Sequence, residues 1–170
     1  HYKGDITCIV EHELLDTGGA IKFASSELDS EFLVINGDSL FNIDYESLEA
    51  LLIKFPEAMV AMALRDVNDN SSRYGKVLME DEKVIRFIEK DGKKGYKTTN
   101  GGIYLMRREV LDLMPDGKFS LEYDLFPKLA YEELIVGKKW NEYFIDIGMP
   151  SDFKRAQIEL PRWKKTYHKN

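Results

Sequence analysis

The sequence predicts an α/β fold: a mixed, mainly parallel sheet with helices on both faces and a small antiparallel insertion. Three observations predict it. In the first half of the chain, short apolar runs that end in turn residues alternate with stretches of helical periodicity, the order of βαβ units. In the middle, the runs at 74–79 and 84–89 flank Asp81-Glu82 and read as an antiparallel hairpin. Two apolar runs end in an aspartate next to a glycine or one residue from it, at Asn36-Gly37-Asp38 and at Asp146-Ile147-Gly148. The carboxyl ends of strands are where open α/β sheets bind their ligands.

Taken in order, residues 6–10 form a β-branched apolar run and read as a strand, with Cys8 inside it as a small buried hydrophobe. Residues 17–28 read as a helix with Ala20, Ile21, Ala24 and Leu28 on one face and Thr17 as its N-cap. Gly18 and Gly19 at its entrance permit close approach of a ligand to the backbone. Residues 32–35 are a buried strand, after which Asn36-Gly37 turns the chain. Asp44 caps a helix over 45–55, with Leu48, Leu51, Leu52 and Phe55 inward, and Pro56 ends it. Residues 58–64 are another buried strand, and 66–73 and 90–97 are polar loops on either side of the hairpin. Asn100-Gly101-Gly102 leads into a strand over 103–106. A short helix over 107–114 stops at Pro115, and Ser120, with Glu122 and Tyr123, opens another that runs to about residue 132. Strands at 134–136 and 140–145 flank Gly137-Lys138. Ser151 caps a last helix to about residue 160, with Pro150 just before it. Residues 161–170 read as a basic, polar, solvated tail.

With 170 residues, 44% of them hydrophobic, the chain is long enough for one domain with a real core. The net charge of -6 argues against nucleic acid as a partner, which asks for a basic face. No apolar run approaches the ~20 residues of a membrane span. With no signal peptide in sight, a cytoplasmic location is expected. A single cysteine forms no internal disulfide, and His1, His12 and His168 lack the spacing of metal ligands.

The chemistry centres on Asp38 and Asp146. Each alone reads equally well as a turn aspartate. Together, at two strand ends of one α/β chain, they read as a pair that meets in the fold and holds Mg²⁺, a hard cation that takes one or two protein carboxylates and leaves room for phosphate oxygens. The segment Glu13-Leu14-Leu15-Asp16-Thr17-Gly18-Gly19-Ala20 is a glycine turn opening a helix, whose amides suit a nucleobase or phosphate; a plain helix entrance reads as well. Glu89-Lys90 ends a strand and offers a carboxylate to sugar hydroxyls and an ammonium to a phosphate. Asn100-Gly101-Gly102 offers an amide and bare backbone to a hydroxyl-rich ligand. No Ser/His/Asp set for acyl transfer is apparent, so the combination points to phosphoryl chemistry.

In this order, these residues resemble the sugar-1-phosphate nucleotidyltransferases across nearly the whole chain. The family's base-contacting Glu-Pro-Leu-Gly-Thr-Ala-Gly-Ala segment is matched by residues 13–20, with Leu14 and Asp16 in place of Pro and Gly. The strand ending Asn36-Gly37-Asp38 matches the one carrying the family's metal aspartate, and Phe144-Ile145-Asp146-Ile147-Gly148 matches the second. Tyr74-Gly75, Glu89-Lys90 and Asn100-Gly101-Gly102-Ile103-Tyr104 match the segments at the sugar and its phosphate. The closing stretch from Phe144 to Gln157 is most similar to the short heptose and mannose 1-phosphate guanylyltransferases.

The resemblance implies a Rossmann-like, GT-A-like nucleotide-diphospho-sugar transferase fold. It implies transfer of a nucleotidyl group from an NTP, GTP first, to a sugar 1-phosphate, in nucleotide-sugar and polysaccharide biosynthesis. Asp38, Asp146 and Lys90 are then catalytic, with Mg²⁺ on the two aspartates. Glu13, Thr17, Gly18, Gly19, Asn36, Gly37, Tyr74, Gly75, Glu89, Asn100, Gly101 and Gly102 are then substrate-binding. The family's N-terminal glycine-rich loop has no counterpart here, so residues 1–160 are expected to be the C-terminal two-thirds of one such domain. A glycosyltransferase of the same fold is the first alternative, but Asp38-Ser39-Leu40 is not the Asp-x-Asp it usually needs. A non-catalytic nucleotide-sugar-binding subunit is the second. Association into a homo-oligomer stays open, with Trp140, Tyr143 and Trp163 as core or interface residues.

Overall fold

The computed structural model describes residues 6–67, 76–88 and 97–167. Its strands are β1 (Glu31–Ile35), β2 (Ser39–Phe41), β3 (Val60–Asp66), β4 (Lys76–Glu80), β5 (Lys83–Ile88), β6 (Thr98–Arg107), β7 (Ile135–Lys139) and β8 (Phe144–Asp146). Its α-helices are α1 (Asp16–Phe23), α2 (Glu46–Lys54), α3 (Phe126–Tyr131) and α4 (Pro150–Tyr167). Six strands form one sheet in the order β1-β6-β3-β7-β5-β4, and β2 pairs with β8 as a separate ribbon.

The sheet is mixed, as expected. Strands β1, β3, β7 and β4 run one way and β6 and β5 the other. Because β6 and β5 lie between them, β3 and β7 are the one parallel pair of neighbours among the described residues. Strand β3 is the centre. Val60, Ala61, Met62, Ala63 and Leu64 are all fully buried. A strand covered on both faces reads as a continuous apolar run, and here its short length between Pro56 and the polar stretch after Arg65 marks it as a strand.

The two faces are packed differently. Val60, Met62 and Leu64 meet Tyr104, Met106, Phe126 and Leu129, so α3 covers this side. Ala61 and Ala63 face the other way, toward Leu48, Leu51 and Leu52 of α2 and toward Phe41 of the ribbon. The small residues here set how close the second layer comes. A Cβ on Gly101 would lie 2.6 Å from the Phe41 ring. Phe41 then makes edge contacts with Phe144 at 5.4 Å and Trp140 at 6.5 Å. The Asp44 carboxylate accepts from the Glu46 amide at 3.1 Å, at the start of α2.

Several expectations are corrected. Residues 6–10 form no strand, and Ile6, Cys8, Ile9 and Val10 are exposed. A strand needs a ladder of partners, and none of the described strands pairs with this segment. The helix expected over 17–28 ends at Phe23 and continues as a 3₁₀ turn at Ser25–Glu27, and the 107–114 helix is a 3₁₀ helix at Arg108–Leu113. Before α3 the chain makes a π turn at Leu121–Leu125, because Pro127 lacks the N–H an uninterrupted helix would use. Gly137 is not a turn. It lies inside β7, where a Cβ would meet Leu64 at 2.6 Å, and β8 leaves the sheet to pair with β2.

Helix α4 starts at Pro150 and runs through the exposed Pro161 to Tyr167, past the expected end near residue 160. A nonlocal contact holds it. The Trp163 ring stacks on Tyr143 with centroids 5.6 Å apart, and the Tyr143 hydroxyl donates to Glu159 Oε2 at 3.0 Å. Trp140, Tyr143 and Trp163 thus make contacts within the chain. Among the described residues, no helix is long and apolar enough to cross a membrane.

Trp163→Ala in the full-length protein removes this stack. We expect a loss of about 1–3 kcal/mol, less than the 3–5 of a fully buried Trp→Ala because Trp163 is half-buried. Urea unfolding checks it, and an unchanged midpoint would show that the stack does not anchor α4.

Candidate functional site

Backbone pairing brings Asp38 and Asp146 together. Strand β1 ends at Ile35, and the Asn36 amide donates to the Gly102 carbonyl at 2.9 Å. The chain then turns through Gly37 and Asp38 into β2. In the β2–β8 ribbon, Ser39 lies opposite Asp146, and the Ile147 amide donates to the Asp38 carbonyl at 2.9 Å. Both carboxylates consequently flank Gly148. A Cβ there would lie 3.1 Å from Asp146 Oδ1 and 3.4 Å from Asp38 Oδ2. Asp146 Oδ1 accepts from the Gly148 amide at 2.7 Å, and Asp38 Oδ1 from the Ser39 hydroxyl at 3.1 Å. The second oxygen of each carboxylate has no partner among the described residues.

This donor set suits a hard cation. It consists of two carboxylates without histidine or cysteine, and Asp38 is exposed, so water and phosphate oxygens have room to complete a shell. The gap at Gly148 is where a side chain would crowd both oxygens.

The Asn100-Gly101-Gly102 motif lies next to this turn. Ile35 pairs with Ile103, which places Asn36 beside Gly102. Gly102 has φ +74°, and a Cβ on it would meet Asn36 Nδ2 at 2.9 Å, so the position calls for glycine on both counts. The Asn100 amide is held at both ends: Oδ1 accepts from the Gly102 amide at 2.7 Å, and Nδ2 donates to the Tyr104 hydroxyl. Gly37 faces open space, with no atom within 4 Å of where a Cβ would be.

The glycine-rich segment makes a close contact within the chain. Gly18 and Gly19 are buried, and both amides donate to the Phe119 carbonyl, at 3.0 and 3.2 Å. A Cβ on Gly18 would lie 2.1 Å from the Phe119 ring, and one on Gly19 2.4 Å from the Gly117 carbonyl. The glycines let α1 press against 117–121, and their N–H groups are already used. Thr17 is not the N-cap but lies within the first turn, where its hydroxyl accepts from the Leu121 amide at 2.9 Å and donates to Glu122 Oε2 at 2.8 Å. Glu13 is exposed beside His12 and Lys22 in an open depression next to α1. Tyr74, Gly75, Glu89 and Lys90 lie outside the described residues.

Glu122 was missed, because acidic residues are common at helix starts and nothing in the spacing sets this one apart. Its carboxylate accepts from Thr17, from Ser120 Oγ at 3.1 Å and, through a long contact of 3.5 Å, from the Tyr104 hydroxyl. Tyr104 is fully buried. Burial first, and then the Glu122 charge, push its phenol well above its ordinary range, so it stays a donor.

Comparison with known proteins places this geometry in context. A family model described as nucleotidyl transferase matches residues 1–162. Over 165 residues the chain is 36% identical to a D-glycero-alpha-D-manno-heptose 1-phosphate guanylyltransferase of Aneurinibacillus thermoaerophilus, covering 95% of this chain and 70% of that protein. It is 36% identical over 148 residues to the protein of the same name from Campylobacter jejuni, covering 85% of this chain and 62% of that one. Among solved structures, HddC from Yersinia pseudotuberculosis complexed with GMP-PN is similar, with TM-score 0.74 and 32% identity over 89% of this chain and 65% of that one. The chain thus spans between 62% and 70% of the length of these relatives. The likeness bears out the expected nucleotide-diphospho-sugar transferase fold.

The raised Tyr104 phenol makes stability depend on alkaline pH. Its contribution is fully present below the ordinary tyrosine value of about 10, where both folded and unfolded chains keep the proton. Above it the unfolded chain deprotonates first, so stability is lost as pH rises toward the folded value. Urea unfolding between about pH 9 and 11 should show a steeper decline in the wild type than in Tyr104→Phe; equal slopes would remove this account of Tyr104.

Proposed function

This chain belongs to the nucleotidyl transferase family, and we propose that the protein carrying it transfers a nucleotidyl group from an NTP, GTP first, to a sugar 1-phosphate of the heptose or mannose type. The observation that carries the reading is the meeting of Asp38 and Asp146 around Gly148. Relatives named as guanylyltransferases of heptose and mannose 1-phosphate support the choice of base and sugar.

In this reaction a phosphate oxygen of the sugar 1-phosphate forms a bond to the α-phosphorus of the NTP. The bond from that phosphorus to the α,β-bridging oxygen breaks, and pyrophosphate leaves with the electron pair. No general base is required, because a phosphate monoester with a second pKa of about 6 is already largely a dianion near neutral pH. Asp38 and Asp146 would hold Mg²⁺, which supplies charge neutralisation and alignment of phosphates when bound. Asn100, fixed by Gly102 and Tyr104, keeps one amide hydrogen for a sugar hydroxyl. Following the sequence motif, Glu89 takes sugar hydroxyls and Lys90 the sugar phosphate. A cytoplasmic setting, with its supply of NTP and magnesium, suits this chemistry.

Mg²⁺-dependent pyrophosphate release by the full-length protein tests the reading. GTP, ATP, UTP, CTP and dTTP are crossed with mannose, glucose and heptose 1-phosphates. We expect release with GTP and a heptose or mannose 1-phosphate. Asp38→Asn should lower it by at least about a hundredfold, the upper end of what outer-shell changes at metal sites cost, with the circular dichroism unchanged. Activity retained in that variant would remove the metal assignment.

A further inference from the structure

We propose that Glu122 is a positioning residue that, through Tyr104, fixes which way the Asn100 side-chain amide faces. This rests on the reading of Asn100 as a contact to the sugar. The sequence motifs leave Glu122 without a role, yet it joins two of them and the helix-opening Ser120. Thr17 of the glycine-rich segment donates to it, Ser120 donates to it, and Tyr104, four residues after Asn100, contacts it from within the core.

The direction of every hydrogen bond along this chain of groups is set from its ends. The Leu121 amide donates to Thr17 Oγ1, so the Thr17 hydroxyl hydrogen is free to go to Glu122 Oε2. The Tyr123 amide donates to Ser120 Oγ, which likewise passes its hydrogen to Glu122. A carboxylate only accepts. Tyr104 must therefore give its hydrogen to Glu122 Oε1 and take one from its other neighbour, Asn100 Nδ2. At the far end the Gly102 amide is a fixed donor and requires Asn100 Oδ1. Both ends demand the same orientation of the amide. One Nδ2 hydrogen and one Oδ1 lone pair remain, in known places, for a ligand hydroxyl.

With a leucine at 122 this logic fails. Tyr104, still buried, could then donate to Asn100 as readily as accept from it, and the amide would lose its preference at that end. With a glutamine the NH₂ group has to face Tyr104 or the pair Thr17 and Ser120, and a donor opposes a donor at one of them. Tyr104→Phe removes the hydroxyl and keeps the ring that packs on Phe126 at 5.0 Å.

Two measurements on the full-length protein test the proposal. The first is hydrogen exchange of the Asn100 side-chain amide by NMR, the signal being identified by its loss in Asn100→Ala. Exchange should be slow in the wild type and faster by about tenfold or more in Tyr104→Phe and Glu122→Gln, the effect of losing one net hydrogen bond. The second is steady-state kinetics. KM for the sugar 1-phosphate should rise about tenfold in both variants, with KM for the NTP changed less than about twofold. Asn100→Ala combined with Glu122→Gln should be no worse than Asn100→Ala alone, because Glu122 acts through that amide. Glu122→Asp, which keeps the carboxylate, should recover part of the loss.

Unchanged exchange in both variants overturns the positioning role whatever the activity. Faster exchange in a protein that transfers nothing to any sugar 1-phosphate leaves the hydrogen-bond chain standing and removes the proposed reaction instead. A rise in KM for both substrates alike, or additive losses in the double variant, would mark Glu122 as merely structural.

Discussion

The ribbon of β2 and β8 is what the site depends on, and Phe41 is what seats the ribbon. Three residues on each strand give little hydrogen bonding of their own, and a two-stranded ribbon is marginal in water. Its stability comes from burying Phe41 against the sheet between Ala61, Ala63 and Gly101. Those small side chains are therefore part of the site's geometry, although none touches a ligand group. If the sheet surface under Phe41 were raised by one methyl, the ribbon would lift, and Asp38 and Asp146 would lift with it.

A second theme is that polar groups in this part of the molecule are committed before any substrate arrives. The amides of Gly18 and Gly19, the hydroxyl of Thr17 and both ends of the Asn100 amide all have partners within the chain. Among the described residues, what remains without a partner includes one oxygen on each aspartate, the Asn36 side-chain amide and part of the Asn100 amide. Preorganised groups of this kind cost no rearrangement when a ligand binds.

Much of this was legible in the sequence, for identifiable reasons. Strand β3 announces itself as a short, unbroken apolar run and helix α2 by its 3.6-residue period. The aspartate pair was legible because each member ends an apolar run within two residues of a glycine. Other features were not. Strand β2 is too short to carry a period. The glycines at 18 and 19 do signal close approach, but sequence does not say of what, and the answer is Phe119. Residues 6–10 have the composition of a strand without a described neighbour to pair with. Pro161 suggests an end to α4, and only the distant Tyr143 explains why the helix continues. Glu122 acquires its meaning from groups far away in sequence, so no local pattern could have revealed it.

The pairing of Ser39 with Asp146 also sets an order of events during synthesis. Asp38 leaves the ribosome more than a hundred residues before its counterpart. At about 5–20 residues per second, that interval is on the order of 5–20 s. During it Phe41 has no Phe144 or Trp140 to meet, and the nascent chain holds a lone aspartate on an unpaired turn. The two aspartates meet only after β8 has been made, and α4, made after β8, stacks Trp163 on Tyr143. Until β8 exists, the two carboxylates are kept apart and the β2 half of the ribbon stays unpaired.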